Sequence, residues 1–185
     1  MLQLKNQLFI PIKTLTDIKM ENKENQEANA TAKMIELLHR VLRSIGCEPV
    51  DVDHETIETK YQGEQFLFYV NKTDVRICDP YWGSVKEDDP SLHLFYQAIN
   101  LTNTECSPTV FLSAPDENGL MYTHSRWDLK LYPECPDNEA FIRDALNTIL
   151  EVKQYLRKCT YDLFVFKIEK ERKRRSDSDA AEGTK

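Results

Sequence analysis

Histidine and cysteine are the side chains that most often carry catalysis or hold metals, and their spacing in this chain predicts neither role. No histidine has a second histidine three or four positions away; the four are His39, His54, His93 and His124. The five cysteines include no C-x-x-C pair, so the spacing of a zinc ribbon or a redox dithiol is missing. We therefore expect structural or exposed histidines and small apolar cysteines, with no metal site and no cofactor.

The sequence motifs of the common enzyme classes are missing as well. The sequence contains no G-x-S-x-G, no P-loop, no G-x-G-x-x-G and no H-E-x-x-H. Two enzyme hypotheses stay open: a cysteine nucleophile with a distant histidine, and a pocket around Asp79, Tyr81 and His124. The preferred interpretation is a protein that is not an enzyme and has no catalytic residue.

Charge argues against nucleic acid as a partner. The formal net charge is -7, and such a surface repels phosphate backbones. The basic residues between 167 and 175 are interrupted by Glu169 and Glu171, which indicates a solvated helix end. The acidic run at 87–89 lacks the alternating ligands of a calcium loop and is explained by helix capping. No apolar run approaches a membrane span, and scattered cysteines favour a reducing cytoplasm.

The elements that must position any site are predicted from periodicity. Residues 31–45 have the apolar spacing of one helical face and end at Gly46. Three strands follow, at 50–61 with a bend near Asp53, at 65–70 and at 75–79, joined by short turns that favour an antiparallel meander. A second helix begins at Pro90, behind an aspartate. Strands at 108–113 and 120–127 form a hairpin around an Asn-Gly pair, and a last helix runs from about Asp137 to Phe166.

These elements predict one α+β domain with the order α-βββ-α-ββ-α. It has an antiparallel five-stranded sheet with helices packed on one face, and it spans residues 31–166. Residues 1–30 are expected to be a flexible N-terminal extension, with the true start at Met20 or, alternatively, an edge strand at 8–15. Residues 167–185 are charged, poor in apolar side chains and expected to be disordered.

The aromatic residues divide into two groups. Strand or helix periodicity places one group in the core: Phe66, Phe68, Phe111, Phe141 and Tyr155. The other group lies in a loop and at the end of a hairpin strand, where aromatic rings are either lids over the core or anchors at an interface. We name its members, with an adjacent arginine, as a candidate partner-binding surface: Tyr81, Trp82, Arg126 and Trp127.

Over residues 31–161 the chain resembles the YbjN-like domains, which share a fold with class I type III secretion chaperones. Three short stretches support this resemblance: Ile45-Gly46-Cys47 after the first helix, Phe66-Leu67-Phe68-Tyr69-Val70 in the meander, and Asn100-Leu101-Thr102-Asn103, similar to an N-x-x-N at the end of the second helix. The resemblance implies a bacterial cytoplasmic protein with a chaperone-like or regulatory role. It also implies a homodimer and no catalytic residue.

The resulting hypothesis is a module that binds an extended segment of another protein, and β-augmentation is one route to such binding. One alternative is a small-ligand or lipid-binding domain, with a cavity between the sheet and the C-terminal helix lined by Phe68, Phe111 and Ile149. The second alternative is an uncharacterised enzyme.

Overall fold

The structure is a computed structural model that describes the backbone of residues 15–72 and 74–182 and the side chains of residues 29–72 and 74–176. Six antiparallel strands form one sheet in the spatial order β1-β2-β3-β4-β6-β5. The strands are β1 Val50–Asp51, β2 Thr56–Tyr61, β3 Glu64–Asn71, β4 Asp74–Lys86, β5 Thr109–Leu112 and β6 Leu120–Lys130. The helices are α1 Leu15–Ser44, α2 Leu92–Glu105 and α3 Asn138–Glu182.

Alternation along the strands decides which face of the sheet is buried. In β3, the side chains of Phe66, Phe68 and Val70 are buried, whereas Tyr69 is exposed. Both residues of the turn between β2 and β3 have positive φ, 51° at Gln62 and 86° at Gly63, which is the backbone that matches the twist of a tight hairpin. The meander therefore presents one continuous apolar face.

All three helices cover that same face. The larger core cluster joins α1 and α3 to β2, β3 and β4, with Leu38, Phe68 and Ile149 fully buried. The smaller cluster packs α2 and α3 over β5, around Ala98 and Val110. The opposite face of the sheet carries no helix among the described residues, and it is called the open face below.

The fold class is as predicted, but the strand count is six because the first predicted strand is divided. Residues 52–55 separate β1 from β2, where the Asp53 carboxylate accepts a hydrogen bond from the Glu55 N–H at 2.8 Å. The second helix starts at Leu92 rather than Pro90 because the Asp89 carboxylate accepts the Ser91 N–H at 2.7 Å and holds a turn before the helix.

The outer helices are longer than predicted. Residues 15–30 continue α1 toward the N-terminus and residues 167–182 continue α3, where an extension and a disordered tail were expected. Both segments are rich in glutamate, lysine and arginine or alanine, which keep a helix going beyond its last buried residue. The expected flexibility of the two ends and the domain bounds of 31–166 stay predictions. Residues 8–14 of the proposed edge strand lie outside the described residues, and a start at Met20 stays a prediction. None of the described helices is both long enough and apolar enough to cross a membrane.

Candidate functional site

The most irregular point of the sheet is a bulge in β4. The register of β4 against β6 breaks between Asp79 and Gly83, so that three residues of β4 stand opposite His124. The middle one, Tyr81, has φ 56°, a left-handed backbone that is uncommon for a bulky residue. The extra residues let Tyr81 and Trp82, which are neighbours in the chain, leave β4 on opposite faces of the sheet.

On the open face, the bulge completes a group of four rings and a guanidinium that we call the aromatic patch: Tyr81, Phe111, Tyr122, His124 and Arg126. The His124 ring stacks on Phe111 with centroids 5.2 Å apart and meets Tyr81 edge-on at 4.9 Å. Tyr81 also meets Tyr122 edge-on at 5.5 Å, and the Arg126 guanidinium lies 5.9 Å from the centre of Phe111. The rings therefore form one continuous surface.

The patch is exposed yet partly desolvated. The Tyr81 side chain is 68% exposed and Phe111 is 37% exposed, although both are large aromatic residues. Burial against its neighbours lowers the pKa of His124, so the imidazole favours its neutral form. Arg126 is partly exposed and has no ion pair with any described residue, so its guanidinium leaves charged donors at the edge of the patch.

On the helix-covered face, Trp82 is anchored by polar contacts. Its Nε1 donates a hydrogen bond to Ser125 Oγ at 3.0 Å, and the Lys153 ammonium lies 5.6 Å from the ring centre. The ring packs with the smaller core cluster under α2 and α3. Trp82 is therefore part of the structural side of the bulge.

A buried ion cluster lies beside Trp82. Lys153 Nζ is 2.7 Å from Asp79 Oδ2 and 3.0 Å from Glu64 Oε2, and both Lys153 and Asp79 are almost fully buried. Burial raises the pKa of Asp79 to about 6, and the Lys153 ammonium opposes that rise. Glu64 is half exposed and connects the cluster to solvent.

The structure brings together two of the four residues named from the sequence. Tyr81 and Arg126 both belong to the aromatic patch. Trp82 and Trp127 lie on the helix-covered face, where Trp127 packs against the larger core cluster. The four side chains therefore do not share one surface.

The two alternative hypotheses named groups that the sheet separates. Asp79 is on the helix-covered face, whereas Tyr81 and His124 are on the open face, so the three do not line one pocket. Phe68 and Ile149 are fully buried in the core while Phe111 belongs to the patch, so these three do not line one cavity. No three His, Cys, Asp or Glu side chains among the described residues are grouped to hold a metal ion.

Two aromatic residues expected in the core are exposed. In β5 the inward residue is Val110, opposite the buried Ser125, so Phe111 points to the open face. Phe141 is 52% exposed at the start of α3. The strict alternation of Tyr122, His124 and Arg126 on β6 was the signal in the sequence that could have revealed the patch.

The outer edge of the sheet at β5 is capped by a side chain. Asn103 Nδ2 donates to the Val110 carbonyl at 2.9 Å, and Asn103 Oδ1 accepts the Val110 N–H at 2.8 Å. One carboxamide thus satisfies the two backbone groups that Val110 would otherwise offer to another strand. At the other edge, β1 is only two residues long.

No protein-family model matches the sequence, and no curated protein matches it. Among solved structures, the crystal structure of YbjN from E. coli, a proposed transcription regulator, superposes on 69% of this chain and 93% of its own, with a TM-score of 0.50 and 10% sequence identity. The chain has a YbjN-like fold. At this identity the likeness concerns the fold alone, so the function has to be argued from the patch.

Proposed function

We propose that this YbjN-like chain is a non-catalytic protein-binding module, chaperone-like or regulatory, that holds an extended segment of a partner protein against the open face of its sheet. The single observation that supports this proposal is the aromatic patch. Contiguous exposed rings beside an arginine are the composition of interface hot spots, because they bury much area and lose little side-chain entropy on binding.

The chemistry of the patch indicates what the partner segment contains. Tyr81 and Phe111 offer apolar ring surface, so the segment needs at least one apolar or aromatic side chain. The guanidinium of Arg126, which has no ion pair with any described residue, favours an acceptor such as a backbone carbonyl or a carboxylate. An extended segment with an apolar residue near an acidic one satisfies both requirements.

Binding across the face is preferred over addition of a strand. Both outward groups of Val110 are already bonded to Asn103, and β1 offers only two residues of edge. The partner then contacts side chains of β4, β5 and β6 and does not extend the ladder. This geometry favours binding across the face of the sheet over β-augmentation, which the sequence left open.

The test is selection of extended peptides from a random display library on the immobilised full-length protein, followed by affinity measurement of the recovered peptides. Tyr81→Ala and Arg126→Gln are each expected to weaken binding by about tenfold or more. Tyr132→Ala is the matched control, because Tyr132 is 53% exposed but lies after β6, outside the patch.

Backbone chemistry distinguishes the two binding modes. Peptides N-methylated at alternate residues lose strand pairing but keep their side chains, so they are expected to retain affinity for the face. The proposal would be contradicted if the recovered peptides bound Y81A and R126Q as tightly as they bind the natural protein. A homodimer remains a separate prediction, and light scattering at micromolar concentration tests it by the ratio of measured to monomer mass.

A further inference from the structure

A concave feature lies on the helix-covered side of the bulge, on the opposite face of the sheet from the proposed protein-binding surface. It is an apolar cleft of about 380 Å³ between the end of β4 and the helices α2 and α3. Ten residues line it, among them Trp82, Gly83, Phe95, Leu156, Arg157 and Phe164. Its volume lies in the range of small-ligand sites, about 300–1,000 Å³.

The floor of the cleft contains a polar group without a partner. Thr123 is fully buried, and its Oγ1 has no hydrogen-bond partner among the described residues. A side chain at Gly83 would place Cβ 3.3 Å from this Oγ1, so the glycine keeps the floor open above it. The absence of a side chain at Gly83 thus leaves room at the floor for the apolar body of a ligand.

The rim supplies a cation. Arg157 is exposed, lines the cleft, and has no ion pair with any described residue. The chain as a whole is acidic, with a net charge of -7, so a local arginine beside apolar walls selects for an anion that brings an apolar body with it.

We propose that this cleft binds a small apolar carboxylate of the medium-chain fatty-acid class. Its acyl body packs against Trp82, Phe95 and Leu156, and its carboxylate pairs with Arg157. The site does not depend on the protein-binding proposal, because it uses the opposite face of the sheet.

Trp82 provides the signal for the test. The chain has two tryptophans, so Trp127→Phe leaves Trp82 as the sole indole. Decanoate titrated into W127F is expected to change the Trp82 emission saturably, and decanol is expected to bind about fivefold to tenfold more weakly, because it lacks the charge. No saturable change by about 1 mM decanoate would overturn the proposal.

Variants in the W127F background locate the site. Thr160 also lines the cleft, and Thr160→Phe fills it, so T160F is expected to abolish the decanoate signal. Arg157→Gln is expected to weaken decanoate about fivefold to tenfold and to leave decanol unchanged. Lys158→Gln is the matched control, because Lys158 is exposed and next in the chain but does not line the cleft.

The outcomes separate clearly. If R157Q and K158Q weaken decanoate binding equally, the ligand lies elsewhere and the assignment is overturned. The same follows if T160F keeps its helical circular dichroism and binds decanoate as tightly as W127F alone. Peptide binding at the aromatic patch is measured separately with Y81A, so failure of either proposal leaves the other standing.

Discussion

The two faces of the β4 bulge use neighbouring residues in opposite ways. On the open face, Tyr81 is mostly exposed and meets the rings of Tyr122 and His124 edge-on. On the helix-covered face, Trp82 is held by Ser125 and lies beside Lys153. The open side presents exposed rings suited to contact with another protein, and the covered side holds a cleft of a size suited to a small molecule. A single irregularity in one strand thus produces two different kinds of surface.

The largest expected effect lies on the covered side. Lys153→Met leaves Asp79 buried without its cation and is expected to lower the free energy of unfolding by about 3 kcal/mol. Urea unfolding measures the change. Lys158→Met, an exposed lysine on the same helix, is the control and is expected to stay within about 0.5 kcal/mol. Similar losses for both lysines would show that the buried ion cluster does not stabilise the bulge.

The two aromatic residues of the bulge offer a direct comparison. Trp82→Ala is expected to cost about 2–3 kcal/mol of stability, because the ring packs in the smaller core cluster. Tyr81→Ala is expected to cost less than about 1 kcal/mol, because the ring is exposed and its backbone is already strained. Tyr81→Gly relieves the positive φ and is expected to be at least as stable as Y81A. Thermal unfolding of the three variants measures these differences, and equal losses at 81 and 82 would remove the distinction between the faces.

The capped edge between the two faces gives a smaller effect. Asn103→Ala exposes the Val110 N–H and carbonyl and is expected to cost about 1 kcal/mol. The variant should also self-associate more at high concentration, since an open strand edge pairs with other chains. Asn100→Ala, an exposed asparagine one turn earlier on α2, is the control for both measurements. Unchanged stability and light scattering in N103A would show that the carboxamide does not protect the edge.

The dependence of stability on pH is expected to have opposite signs on the two faces. The pKa of Asp79 is raised to about 6, so the native state binds the Asp79 proton more tightly than the unfolded chain does. The contribution of this group to the free energy of unfolding is therefore lost as pH rises from about 4 to about 6. The pKa of His124 is lowered by burial, so its contribution is present above about pH 6.5 and is lost as pH falls below that value.

Difference measurements isolate each group. The stability of the natural protein minus that of Asp79→Asn is expected to fall as pH rises through this window. The same difference for His124→Asn is expected to rise with pH. Trends of the same sign for the two variants would show that burial does not favour the protonated form of Asp79 and the neutral form of His124 in the native state.

Much of the fold could be predicted because its signals are local. The helix that ends at Gly46, the meander through Phe66 and Phe68, and the Asn-Gly hairpin depend on periodicity and turn chemistry within a few residues. The division of the first strand near Asp53 was partly visible as a bend. The continuation of α3 beyond Phe166 was not, because apolar content indicates burial and says little about whether an exposed helix goes on.

The site was predicted less well because it depends on which face of the sheet each side chain occupies and on the register between strands. Tyr81 and Arg126 were named from their residue types. Phe111 was placed in the core because, in a strand of four residues, the local sequence allows either set of alternate side chains to face the core. Only its pairing with β6 shows that Val110 faces inward and Phe111 outward. Trp82 was grouped with Tyr81 because the two are adjacent in sequence, and the bulge separates them.

The amino-acid sequence by itself determined the order of elements, the antiparallel sheet with its covering helices, and the presence of unusual aromatic residues at 81, 82 and 127 with an arginine at 126. Tertiary structure alone decided which face each ring occupies, that Asp79 and Lys153 meet in the interior, and that Asn103 caps β5. The physical reason is the separation along the chain over which each interaction acts. Periodicity and turns act over a few residues, whereas the register of β4 against β6 and the contact between α3 and β4 join residues that are tens of positions apart.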